Sequence, residues 1–255
     1  MIYKIIFFLA IATFLASSIN AQKFSLGLAG GTHIYKVAFH HDEEESFFKS
    51  KNKLGYKLGG FIEFPLENNF SWSTEAYYSK KGRKVSYYNG AITNNADYNF
   101  YEISVLLRKG YDMAVSSKLK GELFFNIGPN VNYWSSGSGT IDANVDLDYE
   151  VKFQEPDGNV FVNSINDANR WLFGLEAGVG AEIRVYDTQF FEVELRYTYG
   201  QTYLGGKDSS TIPILAFEDS LRSNYRVLSM ILRYGVDIDL KNARKGKSTI
   251  KRKKR

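Results

Sequence analysis

The sequence predicts an all-β chain, an eight-stranded antiparallel transmembrane β-barrel with short turns at one end and long loops at the other. Three observations carry that expectation. From Leu228 onward every second residue is apolar (Leu228, Met230, Leu232, Tyr234, Val236, Ile238, Leu240), against Ser229, Ile231, Arg233, Gly235, Asp237 and Asp239. Residues 171–186 repeat the pattern, with Trp171, Phe173, Leu175, Ala177, Val179, Ala181, Ile183 and Val185 on one face. A period of two is a strand with two different faces. Soluble strands usually stop at about five or six residues, whereas long alternating ones belong to membrane barrels. Secondly, aromatic residues make up 16% of the chain, with 22 Gly and 4 Pro, a mixture suited to long strands with aromatic girdles. Thirdly, no apolar run after residue 21 is long enough for a membrane helix, and mean hydropathy is slightly negative.

The elements follow in order. Lys4, the apolar run 5–16 and Ser17-Ser18-Ile19-Asn20-Ala21 read as a secretory signal peptide over 1–21, cut between Ala21 and Gln22. The chain has no Cys, which excludes a lipid anchor at the cleavage point and any disulfide. The expected strands are 23–37, 53–64, 70–84, 98–111, 119–134, 171–186, 190–199 and 228–240. Phe24, Leu26, Leu28 and Ile34 face outward on the first, and Gly27, Gly31 and His33 inward. Leu54, Tyr56, Leu58, Ile62 and Phe64 face outward on the second, and Phe70, Trp72, Ala76 and Tyr78 on the third. On the fourth, Tyr101, Ile103, Val105 and Leu107 face outward. The fifth shows Leu119, Leu123, Phe125, Ile127, Val131 and Tyr133, and the seventh Phe191, Val193, Leu195, Tyr197 and Tyr199. Connections 65–69, 112–118 and 187–189 are short. Those at 40–52, 82–97, 135–170 and 201–224 are long, the periplasmic and extracellular pattern of an outer-membrane barrel. A soluble lipocalin-like barrel would instead turn its apolar face inward. The domain plan is therefore a leader over 1–21, a barrel over 22–240 and a tail over 241–255. The chain is placed in the outer membrane of a gram-negative bacterium.

Two segments carry a family resemblance. Asn20-Ala21-Gln22 followed by Leu26-Gly27-Leu28-Ala29-Gly30-Gly31 resembles the start of small outer-membrane β-barrel proteins of the porin-like or PorT type. Tyr98-Asn99-Phe100-Tyr101-Glu102-Ile103-Ser104-Val105-Leu106-Leu107-Arg108 is similar to that family's fourth strand, with Ser104 where a Pro is usual. The resemblance spans residues 22–240 and implies architecture. Such barrels often end on an aromatic residue, whereas this chain continues past Leu240. The PorT-type resemblance alone implies one specific role, an accessory component of a protein-secretion apparatus.

The inward face is the first candidate site. Its charge network comprises Lys57, Glu63, Glu75, Glu102, Arg108, Lys120, Glu122, Glu176, Glu182, Arg184, Glu192, Glu194, Arg196, Arg233 and Asp237. Eight strands enclose an interior just wide enough for side chains, and charges held there have to pair. A blocked, salt-bridged lumen is one reading, and a narrow ion pathway the other. His40-His41-Asp42-Glu43-Glu44-Glu45 reads as a solvated acidic loop, because adjacent residues rarely converge on one ion. With three His, no Gly-x-Ser-x-Gly elbow and no nucleotide-binding glycine loop, no enzyme or cofactor is expected.

The tail is the last candidate. Arg244, Lys245, Lys247, Lys251, Arg252, Lys253, Lys254 and Arg255, with Lys241, make it strongly basic. The chain's formal charge is +4, so residues 22–240 are net acidic by about six once the tail and Lys4 are set aside. Export removes nucleic acid as a partner. Outer-membrane lipid surrounds the barrel, and a periplasmic anionic polymer or protein is the expected partner of the tail. The expected function is a non-enzymatic structural or interaction platform, with a narrow porin-like channel as the alternative.

Overall fold

The computed structural model describes residues 23–39, 49–87, 90–114, 120–142, 146–151, 153, 169–202, 204 and 223–240. Its strands are β1 (Lys23–Phe39), β2 (Lys49–Lys51), β3 (Lys53–Pro65), β4 (Phe70–Tyr87), β5 (Ile92–Ala114), β6 (Lys120–Asp142), β7 (Leu147–Val151), β8 (Trp171–Tyr186), β9 (Gln189–Gly200) and β10 (Ser223–Asp239). Eight of them close a ring. β1, β3, β4, β5, β6, β8, β9 and β10 each pair antiparallel with the next, and β10 returns to β1. β2 adds to β4 and β7 to β6.

The register gives the size of the barrel. Leu26 pairs with Ile62, Ile62 with Thr74 and Thr74 with Val105. The same row continues on β6 at Pro129, which pairs with Leu175, then Tyr199, Arg226 and finally Lys36. One circuit therefore returns to β1 ten residues further on. With strands about 4.8 Å apart and a rise of about 3.3 Å per residue, that stagger sets a tilt of roughly 41°. Each row climbs towards the loop end by about 3 Å per strand.

Tight turns join the strands at one end. Between β3 and β4, Asn68 and Asn69 take positive φ (59° and 58°), and the Leu66 amide donates to the Phe70 carbonyl at 2.7 Å. Asn tolerates the left-handed region better than most residues. Between β8 and β9 the turn is two residues long.

The other end departs from expectation. Residues 82–97, expected as a loop, are mostly strand: β4 and β5 stay paired as far as Tyr87 and Ile92. β6 likewise runs on to Asp142, still paired with β5, and takes β7 on its other edge. The expected loop 135–170 thus contains strand, and so does 40–52, through β2. The expected turn 112–118 is shortened from both sides, by β5 reaching Ala114 and β6 starting at Lys120. Together β4, β5, β6 and β7 form a sheet that rises beyond the apolar wall. The leader, the His40–Glu45 segment, most of the long loops and the basic tail lie outside the described residues.

The outward face carries aliphatic side chains between two aromatic levels. Leu28, Leu58, Ile103, Ile127, Val179, Leu195, Met230 and Leu232 are exposed around the middle. Tyr78, Tyr101, Tyr133 and Trp171 stand opposite one another on β4, β5, β6 and β8, with ring centroids 6.0 Å apart for the first pair and 4.8 Å for the last. Near the turns, Phe24 lies 6.2 Å from Phe64, and Phe191 4.9 Å from Tyr234. Val105 is an exception to the exposed wall. It has outward parity but is buried at 9%, where Val105–Leu106 and Gly128–Pro129 drop out of the paired register. Pro129 has no N–H to give to that ladder.

Met230 and Leu195 pair directly and stand roughly midway between the aromatic levels. Met230→Arg is expected to destabilise the barrel by about 2–4 kcal/mol, and Tyr101→Arg, at the girdle, by about 0–1 kcal/mol. Urea unfolding in lipid vesicles measures both, and equal costs would contradict the placement of the membrane.

Candidate functional site: the ion-paired lumen

The inward parity of eight strands fills the interior in three tiers. At the turn end the mouth opens on a vestibule of about 730 Å³ lined by Glu63, Glu122, Glu182, Asp187, Asp237 and Asp239 against Lys23, Arg108 and Arg184. Arg184 bonds Asp237 at 2.6 Å and Glu182 at 2.8 Å, and Ser25 Oγ donates to Asp237 at 2.6 Å.

Above the vestibule lies a continuous belt of charge. Arg108, buried on β5, reaches Glu63 (3.4 Å), Glu122 (2.9 Å), Glu182 (2.9 Å) and Glu192. Arg233 on β10 shares two of these, Glu63 at 3.3 Å and Glu192 at 2.9 Å, and lies 3.7 Å from Glu75. Glu75 in turn bonds Arg196 at 2.6 Å, and Arg196 also holds Glu194 (2.6 Å) and Glu176 (3.3 Å). Neutral donors complete the carboxylates: Tyr77 to Glu75 at 2.9 Å, Thr198 to Glu176 at 2.9 Å, Asn126 to Glu194 at 3.0 Å and Ser71 to Glu63 at 2.6 Å. Two guanidiniums also stack on rings, Arg108 over Phe124 and Arg233 over Phe61, each 3.8 Å from the centroid. A planar, weakly hydrated cation suits such a site better than an ammonium.

The middle tier is polar. Lys81 pairs with Glu102 and donates to Asn132 at 2.9 Å. His33 Nε2 donates to the Lys80 carbonyl at 3.0 Å, and Asn130 to Ser104 at 2.9 Å. Lys57 lies 4.5 Å over the Tyr77 ring. The top tier is apolar. Tyr35, Tyr98, Phe100, Trp134, Leu172, Tyr225 and Val227 form one buried cluster with Ile141, Tyr149 and Val151 of the raised sheet. Tyr98 and Trp134 are 4.9 Å apart, and Phe100 and Tyr225 5.9 Å.

Of the charges picked from the sequence, Glu63, Glu75, Arg108, Glu122, Glu176, Glu182, Arg184, Glu192, Glu194, Arg196, Arg233 and Asp237 meet in the belt and vestibule. Glu102 and Lys57 sit in the tier above. Lys120 shares the inward face, directly opposite Arg184, and stands exposed at the turn-end rim where β6 begins. Sequence reasoning missed Lys81 and Arg83, both buried, although the parity that turns Glu75 and Tyr77 inward also reaches them. It missed the aromatic tier as well, along with Phe124 under Arg108 and Phe190, 5.5 Å from Arg184. Among the described residues no group of three His, Cys, Asp or Glu is placed to hold a metal.

A closed antiparallel meander with an apolar outside and a charged, filled inside defines a transmembrane β-barrel. Residues 20–202 match the outer membrane protein beta-barrel domain family, and the chain belongs to that family. β10, which closes the ring on β1, lies beyond the matched segment. Solved structures similar to this chain include the outer membrane protein OprG from Pseudomonas aeruginosa (11% identity, 85% of this chain and 95% of that one, TM-score 0.48). Ail, the attachment invasion locus protein of Yersinia pestis, matches at 10% identity over 84% and 98% of the two chains with a TM-score of 0.36. Neisserial surface protein A matches at 12% over 86% and 97% with a TM-score of 0.38. No curated protein matches the sequence.

Removing one partner from a buried ionic cluster strands the others without compensation. Arg196→Met leaves Glu75, Glu176 and Glu194 short of their cation and is expected to cost about 3–5 kcal/mol. Glu122→Gln, at the partly exposed edge of the belt, should cost under about 1 kcal/mol. Urea midpoints of the two variants in vesicles check the contrast.

Proposed function

We propose that this chain is a non-enzymatic outer-membrane barrel whose closed interior makes it a rigid base for an interaction surface at the loop end. The observation that carries this reading is the filled lumen. Arg196, roughly midway between the aromatic levels, has no exposed side chain and touches three carboxylates. Trp134, Tyr98 and Phe100 then close the bore above it. An ion entering from the vestibule would have to displace paired guanidiniums in a desolvated site. The raised sheet of β4, β5, β6 and β7 contributes to the proposed surface, and the aromatic tier packs inside its base. Planar-bilayer recordings of the purified protein are expected to stay silent, and stable ion currents would establish the channel reading instead.

The tail extends this proposal at the other end. β10 ends at the mouth of the vestibule, on the same side as the start of β1. The nine cations of 241–255 follow that end of β10 in the sequence, and we propose that they hold a periplasmic anionic polymer or acidic protein. Over about 8 Å at physiological salt such attraction is effective. Deleting 241–255 is expected to leave heat-modifiable gel mobility intact and to weaken low-salt pull-down of cell-wall material. Identical pull-downs from both forms would remove the tail's role.

A further inference from the structure

Four cations stand outside the wall, apart from every carboxylate of the lumen. Lys36 of β1 lies directly opposite Arg226 of β10, and Lys51 of β2 directly opposite Lys84 of β4. Directly opposed residues of an antiparallel pair share one face, with Cβ atoms about 4.5–5.5 Å apart. Lys36, Lys51 and Arg226 are exposed and Lys84 is half-buried. The four form one row, because Tyr35 pairs with Lys53 and so sets β2 beside the end of β1. Like charges in directly opposed positions are destabilising, and here the arrangement occurs twice. Asp97, the acid on the outward face of the adjoining β5, is already shared by Lys53 and Lys80.

The level of the row matters as much as its charge. Lys36 and Arg226 follow Tyr199 and Leu175 on the same climbing row, at the upper aromatic girdle, where lipid headgroups begin. Two residues closer to the turns, Ile34 pairs with both Leu228 and Leu54. These three side chains are 47%, 51% and 73% exposed. Cations stand directly over bare aliphatic wall. A free anion in solution would use the upper half of this surface alone, whereas an amphiphile with a phosphorylated head and acyl chains would use both. Arg226 can bind two phosphate oxygens in its fixed fork, and the lysines act as point charges around it.

We infer that the row Lys36, Arg226, Lys51 and Lys84, with the aliphatic wall beneath it, is a binding site for the phosphate groups of a phosphorylated glycolipid in the loop-end leaflet. The test refolds the full mature chain into phosphatidylcholine vesicles, with and without a minor fraction of diphosphoryl lipid A, and reads the urea midpoint. Lipid A in both leaflets makes the readout independent of how the barrel inserts and of the platform reading. Wild type is expected to gain stability from lipid A, and the gain should shrink as salt rises. K36S/R226S/K51S/K84S should lose at least half of it while standing no lower than wild type in phosphatidylcholine alone, since its like-charge contacts are gone. If the quadruple variant does not fold, K36S/R226S and K51S/K84S, each losing part of the gain, decide the matter. A wild type indifferent to lipid A would overturn the site. A variant that keeps the full gain would overturn it too. So would phosphatidylglycerol matching lipid A at equal charge, which would mean diffuse surface attraction.

Discussion

An eight-stranded ring with a stagger of ten residues leaves an interior narrow enough for side chains to fill. Every second residue of each strand is committed to that space, so the inward set has to fit as a whole. The inward glycines show how closely it is fitted. A Cβ on Gly178 would fall 2.2 Å from Glu194 Oε1 and 2.7 Å from Asn126 Oδ1, inside the charge belt. One on Gly235 would strike the Phe190 ring at 2.3 Å. Glycine on one strand is the space that a large side chain on the next one occupies.

The filling changes character with height. Within the apolar band the interior is ionic, with four arginines against eight carboxylates in the connected belt and vestibule. Each arginine is held by several acids, so the belt is costly to break while adding little net stability over apolar packing. Above the band the interior turns aromatic and the outside turns polar. The barrel there is built like a soluble sheet, with its core inside and water outside.

That inversion explains what could be read from the sequence and what could not. Within the band, alternation assigns faces correctly for Leu26 to Ile34, for Phe70 to Tyr78 and for Trp171 to Val185, because lipid on one side favours hydrocarbon at most outward positions. Beyond it the outward residues are Lys84, Thr93 and Asn95, and the apolar ones, Val85, Ala96 and Tyr98, point inward. The period of two persists, but its polarity flips. A search for apolar outward faces therefore reads 82–97 as a loop. Ion-pair partners were hidden for a different reason. Glu75 and Arg196 are 121 residues apart and meet across the bore, not across a ladder, so no local spacing announces them. The cationic row has its own signal in the register, which requires knowing that β10 returns to β1.

The charged belt also answers a problem specific to a strand in lipid. A slip of one residue in the pairing of a strand moves its whole inward set to the outward face. In a wall of uniformly apolar strands such a slip would change little, since lipid accepts either set. Here a one-residue rotation of β9 would carry Glu192, Glu194 and Arg196 into hydrocarbon and leave their partners on β4, β5, β8 and β10 unpaired. The cost of exposed charge is greatest near the middle of the bilayer, which is where Arg196 lies. The same ionic belt that contributes little net stability therefore separates the native register from its neighbours by a wide margin.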